Sequence, residues 1–323
     1  MRWALAVLVA GCYSPHEAPG APCSPAAPAC PGNETCVTTG AGSFCEAPGA
    51  QTPDAAVDGA ASADAPTDAG SDDLDGDGVL NGSDNCPTVA NPDQADEDSD
   101  TIGDVCDPCP ASSDNTDDDN DGVANDCDPH PSVAGDRIVY FDGFNTLQPG
   151  WTLDGAWTIS NGSLAVSAAD GVYVDAHRAG VSSHETVAAG LKVISTTGTN
   201  YRAAGVFDNA KFTGSTNTYA TVCSFMITSA SDGSPNTPLL DLFRNPSGSA
   251  LDRSSLAWST GQDLVVVGQR NDTDYGCFGY DTTNSTSATA GGTEVTDNGV
   301  AIVGLHAGGD SVRFRWFMIV TSP

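Results

Sequence analysis

The chain has 323 residues, with 43 acidic and 11 basic side chains and a formal net charge of −32. A surface of that sign repels phosphate backbones, which excludes nucleic acid as a partner. The acid is uneven: residues 1–133 hold 26 of the acidic side chains and one basic residue, Arg2.

In chain order, Arg2 is a minimal positive flank to a short apolar run, Trp3 to Ala10, followed by Gly11 and Cys12. Val9-Ala10-Gly11-Cys12 resembles the lipobox of bacterial lipoproteins. That resemblance implies a signal peptide over 1–11, cleavage before Cys12 and acylation of Cys12. The anchored chain would then lie in the cell envelope, as an outer-membrane lipoprotein or at the extracellular surface. An ordinary secretory signal with an incidental cysteine is the alternative. Setting Cys12 aside leaves ten of the eleven cysteines, an even number suited to disulfides in an oxidising compartment. No later stretch reaches the roughly 18 apolar residues of a membrane-spanning helix.

Residues 12–22 read as a Pro-rich tether. Cys23, Cys30, Cys36 and Cys45 mark a small disulfide-rich segment, 23–46, too short to bury a core. Its pairing is not legible from spacing. The segment resembles a fragment of an epidermal-growth-factor-like module, with a stapled spacer as the alternative. Residues 47–71, rich in Ala, Asp, Pro, Gly and Ser, read as a flexible linker.

Residues 72–133 carry three carboxylate ladders in the same register. The first is Asp73, Asp75, Asp77, Val79, Asn81 and Asp84. The second is Asp96, Asp98, Asp100, Ile102, Asp104 and Asp107. The third is Asp117, Asp119, Asp121, Val123, Asn125 and Asp128. Each supplies oxygen side chains at positions 1, 3, 5, 9 and 12 of a twelve-residue calcium loop, with a backbone carbonyl at position 7. Gly78 and Gly122 stand at position 6, where the chain must turn sharply. Prolines at 87, 92, 108, 110, 129 and 131 exclude long flanking helices, so these are not helix–loop–helix sites. The segment holds nineteen acidic residues and no basic one. Three calcium ions would leave it strongly negative, so more than three ions, or cations bridging the loops, are expected.

Asp84-Asn85-Cys86-Pro87 through Asp96, with Gly103-Asp104-Val105-Cys106-Asp107, resembles the thrombospondin type 3 repeat. That resemblance implies a chain wrapped around a line of calcium ions, with Cys86 paired to Cys106 and Cys109 to Cys127. Thr101 departs from the pattern at position 6 of the second loop and sets the turn and affinity of that loop apart. All three loops close with Asp rather than the longer Glu, so affinities on the order of 10⁻⁴–10⁻³ M are expected.

Residues 134–323 alternate apolar and polar side chains in short runs broken by Gly, Asn, Asp and Ser, the signature of strands. Trp157 to Val166 predicts a hairpin about an Asn161-Gly162 turn, with Trp157, Ile159, Leu164 and Val166 on its apolar face. Further strands are predicted near 186–195, 201–208, 218–228, 263–270 and 301–305. The last run places Val312, Phe314, Trp316, Met318 and Val320 on one face. Cys223 and Cys277 are expected to form one cross-strand disulfide, with two separately buried thiols as the alternative. The predicted fold class is mostly β: a C-terminal jelly-roll β-sandwich, preceded by irregular calcium-wrapped repeats and the small disulfide-rich segment.

Phe141-Asp142-Gly143-Phe144-Asn145, Trp151 and Asp154-Gly155-Ala156-Trp157 open this region. Together with the runs at 301–305 and 312–320, they resemble concanavalin-like lectin/glucanase (laminin-G-like) domains. That fold serves both sugar-cleaving and sugar-binding proteins, so it does not by itself decide the function. Glycosidases need two carboxyl groups about the scissile bond, and the glucanase relatives carry Glu-x-Asp-x-x-Glu. Here the region has only Glu185 and Glu294, neither in such a cluster, so no catalytic residue is assigned and an enzyme is not expected. The histidines at 16, 130, 177, 184 and 306 have no ligand spacing and read as surface or turn residues. Tyr275, Phe278 and Tyr280, beside Asn271, Asp272 and Asp274, have the composition of a sugar-binding face, but ordinary loop and core residues are the favoured reading, so none is nominated. Trp151, Trp157 and Trp316 read as core. The chain thus reads as a calcium-binding cell-surface lipoprotein in adhesion or carbohydrate recognition, with a surface glycan or glycoprotein as partner. A structural envelope spacer and a carbohydrate-active enzyme are the alternatives.

Overall fold

The computed structural model describes residues 35–39, 42–46, 73–196, 199–200, 202–213, 216–229, 236–245, 249–293 and 302–323. Cys12, the signal and tether segments, Cys23, Cys30, the 47–71 linker and Glu294 lie outside the described residues. The chain divides into two compact units, Met1–Thr67 and Asp68–Pro323. In the first, β1 (Thr35–Thr39) and β2 (Gly42–Glu46) pair antiparallel and place Cys36 opposite Cys45.

The second unit contains both the ladders and the β-sandwich, and no helix occurs among its described residues. One sheet has seven antiparallel strands in the order β12 (Ser249–Ser255), β11 (Pro238–Asn245), β10 (Thr216–Ile227), β9 (Arg202–Thr213), β16 (Ile302–Gly308), β7 (Tyr173–Ala179) and β4 (Thr152–Leu153). The other has eight, in the order β15 (Thr286–Thr293), β14 (Asp274–Asp281), β13 (Leu264–Asn271), β8 (His184–Thr196), β17 (Asp310–Thr321), β6 (Leu164–Ser167) and β5 (Thr158–Ile159), with β3 (Arg137–Asp142) pairing β17. Between the sheets lies a core that includes Val187, Leu191, Val206, Phe225, Leu240, Leu305 and Phe317. Burial of such side chains, at about 1.5–3 kcal/mol each, is the main favourable term for the sandwich.

This arrangement corrects two sequence expectations and shows which elements a third one joins. The closing strand does not keep one apolar face. Its register against β8 shifts between Phe314 and Trp316. A bulge adds one residue, and because side chains alternate with period two the faces exchange beyond it. Val312 and Phe314 therefore point into the inter-sheet core, as do Phe317 and Ile319 beyond the bulge. Trp316, Met318 and Val320 point outward. Secondly, the expected Cys223–Cys277 disulfide is present, and because Cys223 lies on β10 and Cys277 on β14 it ties the two sheets together. Thirdly, Ile159 is exposed at the sheet edge, whereas Trp157, Leu164 and Val166 are buried. The turn between them has positive φ at both Asn161 and Gly162, the type I′ geometry.

The outward face of β17 is covered by the third ladder. Trp316, Met318, Val320 and Ala188 pack against Val123, Ala124, Cys109 and Cys127. Gly190 makes this possible, because a Cβ there would collide with the Trp316 indole. The ladders therefore do not project from the sandwich as a free rod.

The Cys223–Cys277 bond closes a loop of 54 residues. Removing it as the C223A/C277A double variant is expected to cost about 4 kcal/mol by loop entropy. Denaturant unfolding would check this, and a loss below about 1 kcal/mol would show that the bond does not constrain the sheets.

Candidate metal centres

Each ladder folds into the same loop. The carboxylates of Asp73, Asp75 and Asp77 offer oxygens within 4.8 Å of one another, and so do those of Asp96, Asp98 and Asp100 and those of Asp117, Asp119 and Asp121. The position-1 carboxylate anchors the turn by accepting the amides of positions 4 and 6. In the first loop Asp73 accepts Gly76 N at 2.8 Å and Gly78 N at 3.0 Å. In the second, Asp96 accepts Ser99 N and Thr101 N at 2.8 and 3.1 Å. In the third, Asp117 accepts Asn120 N and Gly122 N at 2.7 and 3.0 Å.

These bonds require left-handed backbone at both positions: Gly76 and Gly78, Ser99 and Thr101, and Asn120 and Gly122 all have positive φ. Thr101, at φ 86, is a β-branched residue in the place where its counterparts are glycine, a conformation of real cost. The second loop thus keeps its turn under strain. The left-handed demand at position 4 was not read from the sequence, although Gly, Ser and Asn there were compatible with it.

Position 5 accepts the amide of position 7: Val79 N to Asp77 at 2.8 Å, Ile102 N to Asp100 at 2.7 Å and Val123 N to Asp121 at 2.9 Å. The second oxygen of position 5 is held by the segment that follows each loop. Its donors are Asn91 N for Asp77 (2.8 Å), Asn115 Nδ2 for Asp100 (2.5 Å) and Gly135 N for Asp121 (2.7 Å). Position 9 turns back on its own loop, so Asn81, Asp104 and Asn125 accept the amides of Leu74, Glu97 and Asp118. Asp104 is accordingly not gathered with the carboxylates of Asp96, Asp98 and Asp100.

Position 12 carries the feature that bears on a metal. One oxygen of Asp84, Asp107 and Asp128 accepts the amide two residues on, at Cys86, Cys109 and His130. The other oxygen of each is buried without a hydrogen-bond partner, and the same holds for Asp75 Oδ2, Asp98 Oδ2 and both oxygens of Asp119 at position 3. Buried carboxylate oxygens left unpaired are costly. A cation among the carboxylates of positions 1, 3 and 5 would satisfy the oxygens of position 3. Asp84 and Asp107 are not gathered into those clusters, and Asp128 is gathered instead with Asp121 and Asp136. The donors are all oxygen, the preference of a hard ion, and calcium accepts six to eight such ligands in irregular geometry. The residues present therefore fit calcium.

Two disulfides and a polar knot hold the loops in series. Cys86 bonds Cys106, and Cys109 bonds Cys127. Asn91 Nδ2 donates to Asn85 Oδ1 at 2.7 Å, and Gln94 Nε2 donates to Asp84 at 2.8 Å and Asn91 Oδ1 at 3.0 Å. Gly103 sits against this knot, where a Cβ would lie 2.5 Å from Asn85 Oδ1 and 2.6 Å from Cys86 Sγ. One further carboxylate gathers here: Asp136 comes together with Asp121 and Asp128 and is fully buried. Its partners are His130 Nδ1 at 3.2 Å and the Ser322 hydroxyl at 2.5 Å. Sequence reasoning missed Asp136 because it lies outside the twelve residues of the third loop, Asp117 to Asp128.

The sandwich holds a different kind of buried charge. Glu185 and Asp208, both pushed up chiefly by burial, share a buried cluster with Arg270, whose Nη1 lies 3.6 Å from Asp208. The four described histidines each face an aspartate: His130–Asp136, His177–Asp154, His184–Asp272 and His306–Asp175. Two of them, His177 and His306, are buried in the sheet rather than at the surface. Tyr275 is buried, whereas Phe278 is half-buried and Tyr280 exposed.

Residues 62–94 and 95–135 match the thrombospondin type 3 repeat family. No curated protein matches the chain. Among solved structures, winged bean acidic lectin in complex with methyl-α-D-galactose is similar at 12% identity and a TM-score of 0.45, over 58% of this chain and 99% of the lectin. Peanut lectin with a bound peptide is similar at 13% identity and a TM-score of 0.44, over 58% of this chain and 98% of that one. A mutant of the GH43 protein BlXynB from Bacillus licheniformis is similar at 14% identity and a TM-score of 0.42, and only 39% of its length is covered.

Two outcomes follow for the loops. Thr101→Gly removes the strained left-handed threonine, worth about 1–2 kcal/mol. It is expected to tighten calcium binding at the second loop by about tenfold, as read by calorimetric titration. In the ion-free fold, burial and neighbouring carboxylates raise Asp104, Asp107 and Asp128 to about 6, and burial raises Glu97 to about 7. A raised carboxyl binds more protons folded than unfolded, so ion-free stability falls as pH climbs from about 4 to 7. Calcium must displace those protons, and its affinity is expected to weaken from pH 7 to pH 5 with measurable proton release. Equal binding heats in buffers of different ionisation enthalpy would contradict this.

Proposed function

We propose that this chain is a calcium-binding surface protein, tethered through acylated Cys12, whose C-terminal sandwich serves adhesion by recognising carbohydrate. The observation that carries the calcium reading is the repeated set of buried, unpartnered oxygens at positions 3 and 12 of every loop. Calcium binding only to the folded loops adds stability by mass action and turns a self-repelling acidic segment into an ordered one. Because Val123, Ala124 and the Cys109–Cys127 bond pack on Trp316 and Met318, ordering of the third loop is coupled to the outer face of the sandwich. That same packing favours a second reading, in which the repeats brace the sandwich as a structural envelope spacer without a sugar ligand.

Calorimetric titration of the full chain with its disulfides intact tests the first reading. Three or more ions are expected to bind at about 10⁻⁴–10⁻³ M, and the triple variant D75A/D98A/D119A should bind none of them at these sites. A heatless titration up to roughly ten times that range would dismiss the loops as ion sites.

A further inference from the structure

The third ladder covers only part of the outward face of the eight-stranded sheet. Beside it runs a groove of 540 Å³, within the range of about 300–1,000 Å³ usual for small-ligand sites. Its floor comes from β13, β14 and β17 and includes the rings of Phe278, Tyr280 and Trp316. Phe278 and Tyr280 stand two residues apart on one face of β14, opposite Val267 and Val265 of β13. Tyr280 is 42% exposed. Its wall is the third loop, through Asn125 and Asp126. Phe278 is half-buried and Trp316 already lies under the third loop, so Tyr280 is the ring that faces solvent. A solvent-facing side of an antiparallel sheet is ordinarily polar, so an exposed tyrosine beside a half-buried phenylalanine in a groove indicates a surface that a ligand covers.

Thr186 is a second, independent pointer. It lines the groove, is 5% exposed, and its hydroxyl has no hydrogen-bond partner. A buried orphan hydroxyl is satisfied when a ligand brings its own polar group.

We infer that this groove binds a short neutral oligosaccharide, an inference that rests on the carbohydrate reading above and gives it a site. Sugar rings present apolar C–H faces to aromatic side chains and hydroxyls at their edges. Here Tyr280 and the half-buried Phe278 supply the aromatic surface, and Asn125, Asp126 and Thr186 the hydrogen-bonding groups. The charge decides the class: Asp126 at the lip and a chain of −32 repel sulfated and uronic-acid glycans. Since the wall is a metal loop, sugar binding is coupled to calcium.

The calcium-loaded full chain, applied to an array of neutral, sulfated and uronic oligosaccharides, provides the test, followed by calorimetry on the best neutral ligand with Tyr280→Ala and Thr186→Val. The expected result is retention of a neutral oligosaccharide, a loss of about tenfold in affinity for each variant at unchanged calcium affinity and Tm, and weaker binding after chelation. Retention of a neutral sugar with wild-type affinity in both variants would overturn the groove while leaving carbohydrate recognition standing. Retention of anionic glycans alone would overturn the neutral assignment. If the calcium-loaded chain retains no glycan, and a cationic peptide library or nothing at all binds instead, the groove assignment and the carbohydrate reading fall together.

Discussion

Carboxylates drawn to within 4.8 Å of one another repel, and nothing in the acidic segment supplies a positive side chain to offset them. The loops answer part of that repulsion with backbone amides: one aspartate oxygen after another accepts an N–H from its own turn. The amides run out at positions 3 and 12, where oxygens are left buried and unpaired. Every other property of the segment follows from this deficit, including the left-handed residues that aim the amides inward, the raised carboxyls of the ion-free state and the demand for a hard cation.

Disulfides and a polar knot hold the loops to one another, and the third of them makes a seam with the sandwich. The bulge in β17 is the device that creates the seam. Upstream of it the strand feeds the inter-sheet core, and downstream it turns Trp316, Met318 and Val320 outward, where the third loop and its disulfide cover them. Small residues on β8, Ala188 and Gly190, leave the depth the indole needs. Acidic loop and sheet thereby share an apolar contact, and the proposed coupling of ion binding to the groove beside it rests on that contact. Contacts of this kind couple two equilibria only so far as the same packing is lost when either side loosens.

Inside the sandwich, the Cys223–Cys277 bond and the Glu185, Asp208 and Arg270 cluster tie strands of both sheets. Such buried charge costs desolvation and is held in place by its surroundings. The outward groove lies on the opposite face of β8, β13 and β14.

What was legible in the sequence was local. A ladder of Asp at alternate positions, a Gly or Asn in a turn, and period-two apolar runs act over a few residues, and the geometry they imply is set by backbone sterics and hydrogen bonds within that span. The Asn161-Gly162 turn is such a case, as is the strand character of the C-terminal region. What needed the tertiary structure involved partners distant in the chain. The face of Trp316 depends on a register shift against β8, and the sheet-to-sheet role of the Cys223–Cys277 bond depends on strand order. Asp136 joins Asp121 and Asp128 only because β3 begins beside the third loop. The groove brings together residues from 109 to 318, and no spacing rule reaches across that separation. By itself the sequence determined the chemistry of the acidic loops, because ligand order is local. Only the tertiary structure decided which faces those loops cover and which they leave open, because that choice is made by packing between segments far apart in the chain.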